Sequence, residues 1–328
     1  MNDLRELKDR IFDIAGQDDF EAAALDVFRY QASACAPYAR YLSLLGVDPT
    51  GVDGLKDIPF LPIEFFRNHE VYSAPGPPGA VFVSSGTSGT DTSRHIVYKT
   101  ALYERSFNRG FEYFYGPAAD YSIFALLPSY LEREGSSLAY MTERLHAANP
   151  SRGGFFLYDL DKLAGELRLA ADKGERILLI GVTFALMDFA ERFSLDMGDA
   201  VVMETGGMKG RRREVGRSEL HSLLEERFGV LTVHSEYGMA ELLSQAYSSG
   251  GGIFRTPPWM RVSVRDLQNP LRRIVGAGTG GLDIIDLANI YSCSFVSTGD
   301  RGTVRPDGSF EVHGRIENEM LRGCNMLV

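Results

Sequence analysis

Ala80–Thr100 reads AVFVSSGTSGTDTSRHIVYKT. Val81, Phe82 and Val83 make one apolar, β-branched run, and Ile96, Val97 and Tyr98 make another, so the pattern predicts a strand on either side of a loop. The loop holds Ser84, Ser85, Gly86, Thr87, Ser88, Gly89 and Thr90. It offers closely spaced backbone N–H groups and hydroxyls in a chain free to bend, which is how proteins surround a phosphate. Arg94 and His95 follow and add charge-assisted donors. A Walker P-loop is excluded, because no Lys follows the second Gly and a strand rather than a helix comes next. Two readings stay open here: an ordinary Ser/Gly hairpin loop, and a phosphate clamp that needs matching elements downstream.

The chain has 328 residues, 44% of them hydrophobic, enough for one large core or two modest ones. A formal charge of -10 argues against nucleic acid or an anionic membrane as a general partner. Lys209, Arg211, Arg212 and Arg213 form the one dense basic run, suited to a local anion. No apolar run approaches the roughly 20 residues that span a bilayer. The N-terminal MNDLRELKDRIFDIAG is amphipathic and charged, without a signal-peptide core. Cys35, Cys293 and Cys324 are an odd set without metal spacing, which predicts a reduced, cytoplasmic protein.

Residues 3–46 read as helices: Leu4, Leu7, Ile11 and Ile14 keep helical spacing, and Phe20, Ala24, Val27 and Phe28 continue it towards Tyr41. Asp57–Arg67, with two prolines, is expected to be extended. Helices are expected near 100–115, from Ser136, and over 161–173, 183–192 and 213–228. Strands are expected at 121–127, 155–158, 177–182 and 201–203. This alternation predicts a mainly parallel α/β sheet, whose ligands gather at the carboxyl ends of the strands. From Ile253 the texture changes. Segments 259–264, 282–285, 294–297, 302–305 and 309–312 predict a small antiparallel barrel or β layer. The expected organisation is a helical segment over 1–70, an α/β nucleotide-binding core over 71–255, a β-rich subdomain over 256–313 and a short tail over 314–328.

Four later stretches carry chemistry. In Glu204-Thr205-Gly206-Gly207, a Gly pair after a strand lets a flat group approach the backbone. In His234-Ser235-Glu236-Tyr237-Gly238-Met239-Ala240-Glu241, Tyr237 is able to stack on a base and Glu241 to hold Mg²⁺, which takes one or two carboxylates plus phosphate oxygens. In Thr298-Gly299-Asp300-Arg301-Gly302, an Asp in a tight turn is a natural acceptor for the two hydroxyls of a ribose. Gly314-Arg315 supplies a cation for a phosphate or ribose. Taken singly, each is also an ordinary turn.

Their order is that of the adenylate-forming superfamily. The stretches FVSSGTSGTDTSRH, LLPSYLEREGSSLAYM, ETGGMKGRRRE, HSEYGMAELLSQAY, STGDRG and GRIENEMLRGCNMLV together resemble the LuxE-type acyl-protein synthetases, from about Ile58 to Val328. The resemblance implies an α/β fold, that of the adenylate-forming N-terminal domain: layered, mainly parallel sheets with helices, plus a small β-barrel-like subdomain. It implies ATP and Mg²⁺ as cofactors. Ser84 to Gly89 and Arg94 would clamp phosphates, Gly206, Gly207 and Tyr237 would bracket adenine, and Glu241 would ligate Mg²⁺. Asp300 would hold the ribose and Arg315 would contact the nucleotide. Cys324 would take the acyl group as a thioester. Apart from the resemblance, His95 and His234 are each able to orient a carboxylate or phosphate or to serve as a structural histidine.

Two departures stand out. Thr usually precedes the Mg²⁺-binding Glu, and here that residue is Ala240. Most members also carry a C-terminal domain with a catalytic Lys, whereas this sequence ends at Val328 with no Lys after Lys209. The full C-terminal domain is therefore expected to be lacking, with Lys99, Lys209 or Arg322 as candidate substitutes. The expected function is ATP-dependent activation of a carboxylic acid, fatty or aryl, as an acyl-adenylate, with transfer to Cys324 or to a thiol on an acyl carrier protein, a reductase or CoA. Phe184, Met187, Tyr130 and Tyr140 are candidates for an acyl pocket, or for ordinary core. The alternatives are a CoA ligase and a catalytically reduced nucleotide-binding subunit.

Overall fold

The computed structural model describes residues 2–84, 92–128, 131–206 and 216–316. Two compact units divide them. One comprises 1–106, 240–244 and 255–328, and the other comprises 107–239 and 245–254.

In chain order the first unit opens with α1 (Asn2–Arg10), α2 (Gln17–Ala34), α3 (Ala36–Leu44), β1 (Leu61–Pro62), α4 (Phe65–Asn68), β2 (Ala80–Val83) and β3 (Arg94–Val97). The helical period does not run unbroken to Tyr41. Cys35 is extended and Pro37 starts a new helix, because proline fits the first turn of a helix better than its middle. Helix α5 (Thr100–Tyr115) contains the division between the units.

The second unit continues with β4 (Ser122–Leu126), α6 (Ser137–His146), β5 (Gly153–Phe155), α7 (Leu160–Asp172), β6 (Ile177–Val182), α8 (Thr183–Arg192), β7 (Val201–Thr205), α9 (Arg217–Phe228), β8 (Val233–Tyr237) and β9 (Ala246–Ser248). Its sheet has the order β5-β4-β6-β7-β8-β9, parallel throughout except for the antiparallel edge β9. Strands β4 and β6 are near-continuous apolar runs buried on both faces, as a parallel sheet covered by helices requires. Leu163 and Leu167 of α7, Leu186 and Phe189 of α8, and Leu224 and Phe228 of α9 close the core over Leu179 and Val202. Ser136 and Asp159 cap α6 and α7 by accepting from the N–H groups of Ala139 and Lys162. The strand expected at 155–158 sits two residues earlier, where Gly153 (φ +83°) is wedged against the Ile123 carbonyl.

The first unit resumes with β10 (Met260–Arg265), β11 (Arg273–Ile274), β12 (Gly278–Asp286), β13 (Phe295–Val304) and β14 (Phe310–Arg315). These form an open, mostly antiparallel layer, β1-β13-β12-β10-β11, with β14 also on β13 and β1 parallel to it. Separate strands at 294–297 and 302–305 were expected around a tight turn at Asp300; instead one strand, β13, runs through. Its glycines serve close strand approach rather than a turn. A Cβ on Gly302 would lie 2.2 Å from the Glu311 carbonyl oxygen, and the register shifts between Arg301 and Gly302. Two buried polar side chains lock this unit. Gln31 of α2 donates to the carbonyls of Asn289 and Ile290 at 2.9 and 3.0 Å and accepts from the Ser294 N–H. Arg265 donates to Asp283 and to the Leu282 carbonyl, both at 2.8 Å. Among the described residues no helix is long and apolar enough to cross a membrane.

Gly181 is where α8 meets the sheet: a Cβ there would lie 2.8 Å from Leu126 Cβ and 3.0 Å from Leu186 Cγ. Gly181→Ala is expected to destabilise the protein by about 1–3 kcal/mol through overpacking. A urea titration checks this, and an unchanged midpoint would contradict the packing described.

Candidate functional site

Strands β2 and β3, which bracket the Ser/Gly loop in sequence, pair as a hairpin, Val83 with Arg94. Ser84 and Ser93 close its neck. The Ser84 N–H donates to the Ser93 carbonyl at 3.1 Å, and the Ser93 N–H donates to Ser84 Oγ at 3.0 Å. Of the expected phosphate-clamping set, Ser85, Gly86, Thr87, Ser88 and Gly89 lie outside the described residues; Arg94 is exposed at the start of β3.

Glu241, 148 residues further along, comes to this neck: Ser93 Oγ donates to its Oε1. Both residues are buried. The backbone around Glu241 is held on several sides. His95 Nδ1 lies 2.8 Å from the Ala240 carbonyl oxygen, and Asn289 Nδ2 donates to the Glu241 carbonyl at 2.7 Å. Since a carbonyl only accepts, His95 carries its proton on Nδ1. Its ring is fully buried, and burial pushes its pKa down to about 4, so it stays neutral at physiological pH. Two residues on, the N–H groups of Leu243 and Ser244 and the Ser244 hydroxyl donate to the buried carboxylate of Asp286 at 2.8, 2.9 and 2.6 Å.

The structure also brings Asp300 and Arg315 together. They are cross-strand partners on β13 and β14, with Arg315 Nε 3.1 Å from Asp300 Oδ1. Asp300 is buried and Arg315 exposed, so one end of the pair meets solvent.

In the other unit, Gly206 follows β7 with φ +75°, and among the described residues nothing lies within 4 Å of where its Cβ would be. Its carbonyl accepts from Thr183 Oγ1 at 2.7 Å. Gly207 and Lys209 lie outside the described residues, as do Tyr130, Arg322 and Cys324. Tyr237 ends β8, buried, its ring 5.8 Å from that of Phe254. His234 faces Tyr115, whose hydroxyl is 3.2 Å from Nδ1, and burial lowers its pKa. Met187 belongs to the core cluster, with Phe184 packed against it. Lys99 lies over the Tyr98 ring at 5.1 Å, and Tyr140 is buried on α6.

Two residues escaped the sequence reading. Ser93 is one hydroxyl among many in its loop, and nothing in the pattern marks its partner. Glu236 gave no local signal either, since a carboxylate in a strand reads as solvent-facing, yet the fold buries it. It accepts from Thr205 Oγ1, and a Cβ on Gly238 would lie 2.4 Å from its Oε1, so glycine there makes room for the carboxyl group. Burial, reinforced by Glu204, pushes its pKa up to about 7 against the Thr205 hydrogen bond. Glu204 itself lies 3.5 Å from Arg217 Nε and 3.8 Å from His221 Nε2.

No family model matches the chain, and no curated protein matches its sequence. Its architecture is that of the adenylate-forming enzymes. Among solved structures it resembles 2-hydroxyisobutyryl-CoA ligase in the postadenylation state with 2-HIB-AMP, with a TM-score of 0.66 and 14% identity over 92% of this chain and 69% of that one. It also resembles ATP-bound MatB from Rhodopseudomonas palustris, with a TM-score of 0.55 and 14% identity over 73% of this chain and 48% of that one. A third is the luciferase-like enzyme of the nonluminescent Zophobas morio mealworm, with a TM-score of 0.51 and 15% identity. At this identity the likeness establishes the fold, and the match spans about half the length of MatB.

Glu236 makes stability pH-dependent. An acid whose pKa is raised in the fold binds more protons folded than unfolded between the two values. Its contribution is therefore present below about 4.5, the ordinary value, and is lost as pH rises through about 7. Glu236→Gln is expected to remove that loss, leaving the variant more stable than wild type at pH 8 by up to about 3 kcal/mol. Urea unfolding of both proteins from pH 4 to pH 8 checks this; parallel profiles would contradict it.

Proposed function

We propose that this protein uses ATP and Mg²⁺ to activate a carboxylic acid as its acyl-adenylate and passes the acyl group to a thiol, in the manner of a LuxE-type acyl-protein synthetase. The observation that carries the reading is the meeting of Glu241 with the neck of the hydroxyl- and glycine-rich loop, across 148 residues of sequence, on an adenylate-forming fold.

The donor set suits magnesium. One oxygen of Glu241 takes the Ser93 hydroxyl and, among the described residues, the other takes no hydrogen bond. No cluster of three or more acidic, His or Cys ligands competes there, again among the described residues, and magnesium in nucleotide sites needs only one or two carboxylates plus phosphate oxygens. When bound, the cation neutralises charge on the phosphates. The chain supplies the rest by positioning and electrostatics. The Ser84–Gly89 loop and Arg94 would cradle the β- and γ-phosphates. Tyr237 and the Gly206–Gly207 backbone would hold adenine, and Asp300, steadied by Arg315, would accept from the ribose hydroxyls. His234 would act through its neighbours to orient the reacting groups. A carboxylate oxygen of the acid then attacks the α-phosphorus as the bond to pyrophosphate breaks. In the second half-reaction a thiolate attacks the acyl carbon and AMP leaves. Cys324 is the proposed acceptor, while Cys35 and Cys293 are buried, with thiols pushed up in pKa by burial, and are unsuited to it.

A second reading, a CoA ligase, is favoured by one neighbour, a 2-hydroxyisobutyryl-CoA ligase structure holding 2-HIB-AMP and CoA. The acid, whether fatty, aryl or hydroxy, and a cytoplasmic setting with a carrier or reductase partner belong to the proposal.

The test is acid-dependent exchange of labelled pyrophosphate into ATP across a panel of such acids. Exchange is expected with at least one acid and is expected to fall at least about tenfold in Asp300→Ala, in line with loss of a charge-assisted hydrogen bond. Cys324→Ser is expected to keep exchange and lose self-acylation; if it also keeps CoA-thioester formation, the second reading gains. No exchange with any acid, with ATP still bound, would contradict adenylation and favour a nucleotide-binding subunit.

A further inference from the structure

Every polar group of Ser93 is assigned. Its N–H goes to Ser84 Oγ, its carbonyl takes the Ser84 N–H, and its hydroxyl goes to Glu241 Oε1. The first two bonds close the neck of the loop, and the third reaches the carboxylate from which the proposed metal site is built. At the other side of Glu241 the main chain has no slack. His95 and Asn289 hold consecutive carbonyls at 240 and 241, and Asp286 holds the N–H groups of 243 and 244. Backbone and one carboxylate oxygen are thus both held, in a buried setting.

From this geometry we infer that Ser93 is the positioning residue for Glu241: its hydroxyl occupies Oε1 so that Oε2 alone faces a divalent cation. The inference rests on the adenylation reading, since that reading supplies the cation. The physical reason is general. A carboxylate ligand left free to rotate must be ordered when the ion arrives, and an outer hydrogen bond does this ordering beforehand; its loss typically costs 10–100-fold in metal affinity. The same hydroxyl also joins the Ser84–Ser93 neck to the metal carboxylate.

The test uses the full-length protein with a non-hydrolysable α,β-methylene ATP analogue, titrated with Mn²⁺ and followed by electron paramagnetic resonance. Ser93→Ala and the near-isosteric Ser93→Cys, a weak donor, are expected to lower Mn²⁺ affinity at least about tenfold. Ser93→Thr, which keeps the hydroxyl, is expected to stay within about threefold of wild type. Melting temperatures without metal separate this from a packing role, which would move stability and leave Mn²⁺ affinity unchanged. Two further results are distinguishable. If Glu241→Gln abolishes Mn²⁺ binding while Ser93→Ala and Ser93→Cys bind as wild type does, the positioning role is overturned and the adenylation reading stands. If wild type holds no Mn²⁺ with the analogue, or Glu241→Gln holds it as well, the metal assignment falls and the role of Ser93 falls with it.

Discussion

A buried carboxylate, Asp286, organises the part of the molecule where the chemistry is proposed. The chain enters the first unit for only residues 240–244 between two stretches that belong to the other. In this short excursion Leu242 and Leu243 are buried, and its buried polar groups need partners as well. Asp286 supplies the hold by accepting from the N–H groups of Leu243, Ser244 and Ala288 and from the Ser244 hydroxyl. Trp259 adds its indole N–H to the Ser244 hydroxyl at 2.9 Å. Burial raises the pKa of Asp286, and these donors pull the other way. Removing the carboxylate would strand several buried donors together, each with its own desolvation cost.

Fixing this segment is what gives Glu241 its place. Its side chain meets the loop neck through Ser93, while its carbonyl and that of Ala240 are held by Asn289 and His95. His95 suits this task because burial keeps it neutral, with one ring nitrogen committed as a donor. Position 240 is Ala, which has no hydroxyl to offer. In this chain a hydroxyl reaches Glu241 from Ser93.

Much of the architecture was legible because its physics is local. The runs at 177–182 and 121–127 announced buried parallel strands, since strands covered on both faces lose the polar alternation. The helix expected from Ser136 is there with Ser136 as its cap, whereas the helix expected from 161 begins at Leu160 and is capped by Asp159, which was not singled out. What was not legible depended on partners distant in sequence. The Thr298–Gly302 stretch has the composition of a turn, yet its glycines are there to let β14 and the Arg315 side chain approach. Glu241 and Asp300 could be picked from motif order, but the bond from Ser93 to Glu241 spans 148 residues and leaves no trace in local pattern. Glu236 was passed over because a carboxylate in a strand reads as solvent-facing, and only the packed sheet shows it buried beneath Gly238.

The central claim, that the acid attacks the α-phosphorus of ATP, is tested most directly by following an oxygen atom. The protein is incubated with ATP, magnesium, a thiol acceptor and an acid labelled with oxygen-18 in its carboxyl group, and the nucleotide products are weighed by mass spectrometry. Adenylation leaves one labelled oxygen on AMP when the acyl group departs, with pyrophosphate released in equal amount. ADP and phosphate as products, or AMP without the label, would contradict the account.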